Sequence, residues 1–268
     1  MTSRLLLVGC GKMGGALLAG WLDRGIAAAD VVVVEPAVDP SRISLPDGVT
    51  VVADAAGIPA SFAPDVLIMA VKPQVMGEAA PAYAGHAAGA VTLSIAAGTP
   101  VAFFQDLYGD DAAIVRVMPN TPAAVGRGMS VLYANDRTSD AQRVACEGLM
   151  AAVGETAWIG SEEQMDAVTA VSGSGPAYVF LLIEALAAAG EKAGLDAGLA
   201  TTLALNTVAG AGELARLSDE AAAQLRINVT SPGGTTQAAL EVLMAEDGMP
   251  ALLERAVDAA ARRSRELA

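Results

Sequence analysis

The sequence predicts an α/β fold: an N-terminal Rossmann-type doubly wound sheet followed by an all-helical C-terminal domain. Three observations predict it. Short apolar runs alternate with helical segments through the first half of the chain. A glycine-rich turn, Gly9-Cys10-Gly11-Lys12-Met13-Gly14, joins the first of those runs to the first helix. After about residue 160 the strand-like runs vanish and long helical patterns replace them. The two domains are therefore set at 1–160 and 161–268.

Leu5 to Val8 reads as the first strand, and Gly14 to Arg24 as a helix with Leu17, Leu18 and Trp21 on one face. Val31 to Val34 is four valines in a row, the composition of a strand buried on both faces. Val49 to Val52, Val66 to Ala70, Val91 to Ile95, Ile114 to Val117 and Ser130 to Tyr133 complete seven strand candidates. In the second half, Pro176 stands at a helix start. Val179, Leu182, Ile183 and Leu186 then recur at helical spacing as one apolar face. Asp196 caps a helix running to about Leu217. Two more helices are expected, from Thr235 to about Ala245 and from Pro250 onward. The small residues Ala187 to Gly190 and Ala209 to Gly212 suit close helix contact, either within the chain or between subunits.

Composition narrows the function classes. The formal net charge is −14, which argues against nucleic-acid and anionic-membrane partners. The apolar helix near Val179 to Ala189 is interrupted by Glu184 and too short to span a bilayer. Leu7-Val8-Gly9-Cys10 superficially resembles a lipoprotein processing site, but the apolar run before it is too short for a signal. The two cysteines, Cys10 and Cys146, have no metal-like spacing, and a reducing, cytoplasmic setting is expected. A single histidine, His86, argues against a Ser-His-Asp triad or a histidine metal site, and no metal is expected.

The motifs point to a dinucleotide. Gly9 permits the tight turn, Gly11 lets backbone approach a pyrophosphate, and Gly14 allows close helix–strand packing. Cys10, Lys12 and Met13 supply the remaining backbone of that phosphate loop, which ends at a helix N-terminus. Glu35 ends the second strand about 20 residues on, where an acid takes the ribose hydroxyls of NAD and repels a 2′-phosphate. Arg42, downstream, is placed to approach such a phosphate, so the choice between NAD and NADP stays open. Ala70-Val71-Lys72-Pro73 closes the fourth strand, with Lys72 at the cleft. Ala96-Ala97-Gly98 follows the fifth with small residues that admit a flat ring. Asn120, in Met118-Pro119-Asn120-Thr121-Pro122, is placed to orient a carboxamide or backbone near the nicotinamide. Two donor-rich turns lie in the second half. Ser172-Gly173-Ser174-Gly175 precedes Pro176, and Ser231-Pro232-Gly233-Gly234 precedes Thr235-Thr236. Each suits a carboxylate or a helix cap.

Together these segments resemble the pyrroline-5-carboxylate reductase family along essentially the whole chain. The motifs Val171 to Tyr178 and Ser231 to Thr236, following Met118 to Pro122, are the specific part of the resemblance. It implies hydride transfer from NAD(P)H to the C=N carbon of 1-pyrroline-5-carboxylate, giving L-proline. It also implies a helical dimerisation domain, a homo-oligomer built on a dimer, and a substrate site at the dimer interface facing the nicotinamide. Carried over residue by residue, Thr236 is the hydroxyl at the ring nitrogen. Ser231, Gly233, Gly234 and Thr235 surround the substrate carboxylate, with Asn228 close by. Ser172, Gly173, Ser174 and Gly175 line the same pocket. Three positions depart from the pattern. Lys12 replaces a frequent Asn, Glu35 replaces a frequent Ser or Thr, and Ser218 to Gln224 lacks a frequent His-Pro-Gly. Asp219 would match an acidic residue near the substrate. A related hydroxyacid dehydrogenase would need a Lys or Asp acid in the second domain. Lys192, the only lysine there, sits late on its helix.

Overall fold

The computed structural model describes residues 3–36 and 47–267; Arg42 lies outside the described residues. The chain divides into two compact units. One runs to Gly173 and takes in the segment from Ala261 onward; the other is Ser174–Ala260. The expected boundary at 160/161 thus differs from the division by contacts. Ser264 Oγ donates to Asp166 Oδ1 at 2.6 Å, which joins the C-terminal segment to the first unit.

The first unit is one eight-stranded sheet. Its strands are β1 (Leu5–Val8), β2 (Val31–Val34), β3 (Thr50–Val52), β4 (Val66–Met69), β5 (Val91–Ser94), β6 (Ala113–Met118), β7 (Gly128–Ala134) and β8 (Gly154–Trp158). The order is β3-β2-β1-β4-β5-β6-β7-β8. All pairs are parallel except β6 with β7. The chain direction of travel across the sheet reverses between β1 and β4, which makes a switch point there. Register aligns Val8 with Val34 and Met69, and Met69 with Ser94. The residues that follow, Gly9, Glu35, Ala70 and Ile95, therefore emerge along one sheet edge.

The alternation of strand side chains sorts the core into two layers. Leu5, Leu7, Val31, Val33, Ile68 and Leu93 face one layer, covered by α1 (Lys12–Asp23) and α5 (Asp140–Ala151). Leu6, Val8, Val32, Leu67 and Met69 face the other. There they meet Met76 of α2 (Pro73–Ala79), Ala87 of α3 (Ala84–Ala87) and Phe104 of α4 (Val101–Tyr108). Both faces being covered explains why the strands read as unbroken apolar runs. The one strand the sequence pattern misses is β8, Gly-Glu-Thr-Ala-Trp. It lies at the sheet edge and is only partly buried, so it carries neither an apolar run nor a clean alternation. A short helix, α6 (Met165–Val168), passes into a π-helical turn, Thr169–Gly173, at the end of this unit.

The second unit is helical: α7 (Gly175–Lys192), α8 (Ala197–Leu217), α9 (Ala222–Asn228), α10 (Thr235–Leu243) and the first part of α11 (Met249–Leu267). Asp196 caps α8 by accepting from Leu199 N–H at 3.0 Å, as expected. A Cβ at Gly190 would sit 3.3 Å from Ala200 Cβ, so this stretch of small residues serves close packing of α7 on α8. Gly210 and Gly212 have open space where a Cβ would stand. Among the described residues the apolar side chains of α7 lie open: Phe180 is 58% and Leu181 63% exposed, and Val179, Leu182 and Leu186 are exposed as well. Glu162–Lys192 is a helical stretch of 31 residues with a bend at Ser174, longer than the sequence pattern indicates. By length and composition alone it could cross a bilayer.

Trp21 anchors the first layer. It is fully buried, and its indole N–H donates to Leu149 O at 2.9 Å, linking α1 to α5. Trp21→Ala should lower unfolding free energy by about 3–5 kcal/mol, read from urea unfolding followed by circular dichroism.

Candidate functional site

A cleft of ≈ 600 Å³ opens at the switch point, lined by Gly9, Gly11, Glu35, Ala70, Val71 and Lys72 among others. Its shape follows from absent side chains. Gly9 sits at φ +91°, and a Cβ there would lie 2.9 Å from the Ala70 carbonyl. A Cβ at Gly14 would run into Gly9 O, so only glycine lets α1 start this close to β1. Gly11, the N-cap of α1, has nothing within 4 Å of its own Cβ position, which leaves the backbone approachable. The first-turn N–H groups of Lys12, Met13 and Gly14 have no acceptor within the helix and carry its positive end. A pyrophosphate fits that arrangement. Lys72 and Pro73 are exposed at the start of α2.

The cleft is acidic at Glu35. Glu35 Oε2 accepts from Cys10 N–H at 2.8 Å, while Glu35 N–H donates to Val52 O at 3.0 Å. The carboxylate is thereby held over the glycine turn. Burial, and then the Glu35 charge, push the Cys10 thiol up to about 11. Burial alone pushes Cys146 up to about 12, so both thiols stay protonated at neutral pH and are poor nucleophiles. Asp54, Glu78 and Tyr83 also line the cleft, none of them singled out by the motifs. Asp54 accepts from Ala56 and Gly57 N–H, a local cap that an Asx-turn signal just past β3 would have revealed. Burial, then the Asp54 charge, raise the Tyr83 phenol. Of the described lining residues, Lys72 alone is cationic.

Along the same edge, Ala96 is buried, Ala97 is exposed and Gly98 takes φ +72°. Asn120 is used by backbone: its Oδ1 accepts from Met129 N–H at 2.9 Å and its Nδ2 donates to Ser172 O at 3.1 Å. Ser172 Oγ donates to Val168 O at 3.1 Å, one turn back, and not outward into a nest. Arg116, buried on β6, donates to Glu162 Oε1 at 2.9 Å, and that oxygen also accepts from Val101 N–H at the start of α4.

In the second unit, Ser174 is the N-cap of α7 and Gly175 its first residue. Ser231-Pro232-Gly233-Gly234 forms a tight turn. Gly234 N–H donates to Ser231 O at 3.0 Å, and Gly233 takes φ +71° after the proline. Gly233 N–H donates to Gln237 Oε1 at 2.7 Å. Both glycine N–H groups, expected at a substrate carboxylate, are thus engaged within the corner, because the turn and the helix start consume them. The donors left by helix geometry are those of Thr235, Thr236 and Gln237, the first three residues of α10. Gln237, three residues past the N-cap, has the spacing of a capping-box glutamine, a signal available in the sequence. Asn228 Nδ2 donates to Glu220 Oε2 at 2.9 Å, and its Oδ1 accepts from Gln224 Nε2 at 2.8 Å. The acid that engages Asn228 is therefore Glu220. Among the described residues no cluster of His, Cys, Asp or Glu could hold a metal ion.

A family model for pyrroline-5-carboxylate reductase dimerisation matches residues 162–267, and one for coenzyme F420-dependent NADP oxidoreductase matches residues 4–98. The chain is 42% identical to the pyrroline-5-carboxylate reductase of Pseudomonas aeruginosa, covering 100% of this chain and 97% of that one. It is 41% identical to that of Synechocystis sp., covering 100% and 99%. The structure of a pyrroline-5-carboxylate reductase from Coxiella burnetii superposes with a TM-score of 0.92 at 33% identity, over 100% and 99% of the chains. Plasmodium falciparum pyrroline carboxylate reductase with NADP bound superposes at 0.83 and 30% identity, over 99% and 98%.

The expectation that Glu35 reads the ribose generates a test. Glu35→Gln keeps an acceptor for Cys10 N–H and removes the charge. The ratio of kcat/KM for NADPH over NADH should rise on the order of tenfold. An unchanged ratio would take Glu35 out of ribose recognition.

Proposed function

The chain belongs to the pyrroline-5-carboxylate reductase family, and from that premise we propose how its residues divide the reduction of 1-pyrroline-5-carboxylate to L-proline. The enzyme is an NAD(P)-dependent oxidoreductase and a homo-oligomer. In the proposed division, residues 1–160 bind the dinucleotide, while residues 161–268 bind substrate and dimerise. The match of the dimerisation model from residue 162 supports the latter.

Gly9, Cys10, Gly11, Lys12, Met13 and Gly14 hold the pyrophosphate against the start of α1. Glu35 takes the ribose hydroxyls, and Ala70 to Pro73 and Ala96 to Gly98 border the rest of the dinucleotide. When bound, the reduced nicotinamide supplies a hydride to the imine carbon. The ring reacts as its protonated iminium, so the C=N π pair becomes the lone pair of a neutral amine when the hydride arrives and no strong protein acid is needed, consistent with one histidine in the chain. Thr236 Oγ1 meets the ring nitrogen. It donates to the neutral imine and accepts from the iminium, fixing the ring in either state. The observation that carries this assignment is the Ser231–Gly234 turn leading directly into α10. It leaves the Thr235 and Thr236 N–H groups and the helix positive end for the substrate carboxylate. Gly233 and Gly234 shape that corner through backbone conformation. Ser231 and Asn228 flank it. Ser172 to Gly175 complete the substrate pocket.

The uncovered apolar face of α7 is the surface we assign to the partner subunit. The net charge of −14 supports the absence of nucleic-acid and membrane partners. Two free, buried cysteines support a cytoplasmic setting.

Oxidation of NADPH or NADH should depend on added 1-pyrroline-5-carboxylate, and folded protein with no turnover on either cofactor would overturn the reading. Thr236→Val keeps the volume and removes the hydroxyl. It should lower kcat on the order of 100-fold and leave the dissociation constant of the cofactor unchanged. An unaltered kcat would remove Thr236 from the chemistry.

A further inference from the structure

Asn120 orients backbone, one of the two roles its motif suggests. It follows β6, and its carboxamide joins two distant pieces of the first unit. One end accepts from Met129 N–H at 2.9 Å, on β7; the other donates to the Ser172 carbonyl at 3.1 Å. Ser172 belongs to the π-helical turn Thr169–Gly173, a wide turn that is rare and concentrated at functional sites. The next residue, Gly173, lies so near Met118 that a Cβ there would collide with the Met118 methyl carbon. Two residues before Met118, Arg116 holds Glu162 at 2.9 Å. Positions 116, 118 and 120 thus grip the segment 162–173 at its start and at its end. The grip at the end sets where the Ser172-Gly173 backbone lies.

We propose that Asn120 is a positioning residue for catalysis, which places the Ser172-Gly173 turn and influences the reaction only through it. This rests on the reading that the turn lines the substrate pocket. Of the two roles expected for Asn120, orienting a carboxamide or orienting backbone near the nicotinamide, it develops the second. The carboxamide is suited to the task because it carries an acceptor and a donor on one rigid plane, and both are needed at once. No other side chain of this size has both in that geometry.

Asn120→Asp separates the two ends. The carboxylate still accepts from Met129 N–H, but it cannot donate to Ser172 O and instead repels it. The KM for 1-pyrroline-5-carboxylate should rise about tenfold or more, since small displacements of a positioning element have large kinetic effects. The cofactor dissociation constant, from quenching of protein fluorescence, should stay within about twofold, and the thermal midpoint should stay near that of the parent. Gly173→Ala pushes the same turn from the Met118 side and should give the same signature, which covers the case in which the Asn120→Asp variant fails to fold. An unchanged KM in both variants overturns the proposal. So does a loss of cofactor affinity equal to or greater than the rise in KM, which would make Asn120 a cofactor ligand. A joint loss of thermal midpoint, substrate affinity and cofactor affinity would make it merely structural and overturns it too. Thr236→Val keeps the outcomes apart: a normal kcat there defeats the substrate-site reading, whereas an impaired Thr236→Val with a normal Asn120→Asp defeats the positioning role alone.

Discussion

A helix begins where a strand ends, with no side chain between them, and the cofactor end of the molecule depends on that contact. Gly14 passes Gly9 so closely that even a methyl group would strike the Gly9 carbonyl oxygen, and Gly9 abuts Ala70 of the neighbouring strand. Three elements, β1, β4 and α1, therefore meet at one corner. The same geometry opens the switch-point cleft, turns the first N–H groups of α1 toward it, and brings Cys10 N–H within reach of Glu35. Local flexibility at two glycines thus decides the position of an anion site and a carboxylate 25 residues apart in the chain.

The second half uses the same physics with different materials. A proline sets one dihedral, Gly233 adopts a left-handed one, and Gln237 closes over the bend before α10 starts. The outcome is a corner whose backbone is already fixed before any ligand arrives. In the proposed division of roles, such preorganisation suits a reaction whose rate rests on holding two rings at the right separation.

Much of this was legible in the residues. Four consecutive valines marked a strand covered on both faces, and Asp196 marked the start of α8. The order of the turn motifs marked the family. What was not legible depended on partners distant in sequence. β8 was missed because an edge strand needs no continuous apolar run. Asn120 was expected to orient a carboxamide or backbone by its place after β6. Which backbone it holds, that of Met129 and Ser172, emerges only once β7 and the π-turn are folded beside it. The Gly233 and Gly234 N–H groups looked available because a sequence shows donors and not their acceptors. The helical spacing of Val179, Leu182 and Leu186 correctly grouped one face. It carried no information on whether that face is buried by the same chain or by another.

That uncovered face has a consequence for how the protein endures. Helices α7 and α8 bury small residues against each other and leave Phe180, Leu181, Leu199 and Leu203 in contact with water. Exposed apolar area of this kind is stabilised only on association, so the free energy that keeps the helical unit folded includes a term in subunit concentration. With that face assigned to the partner subunit, dilution works against the folded helical unit by mass action.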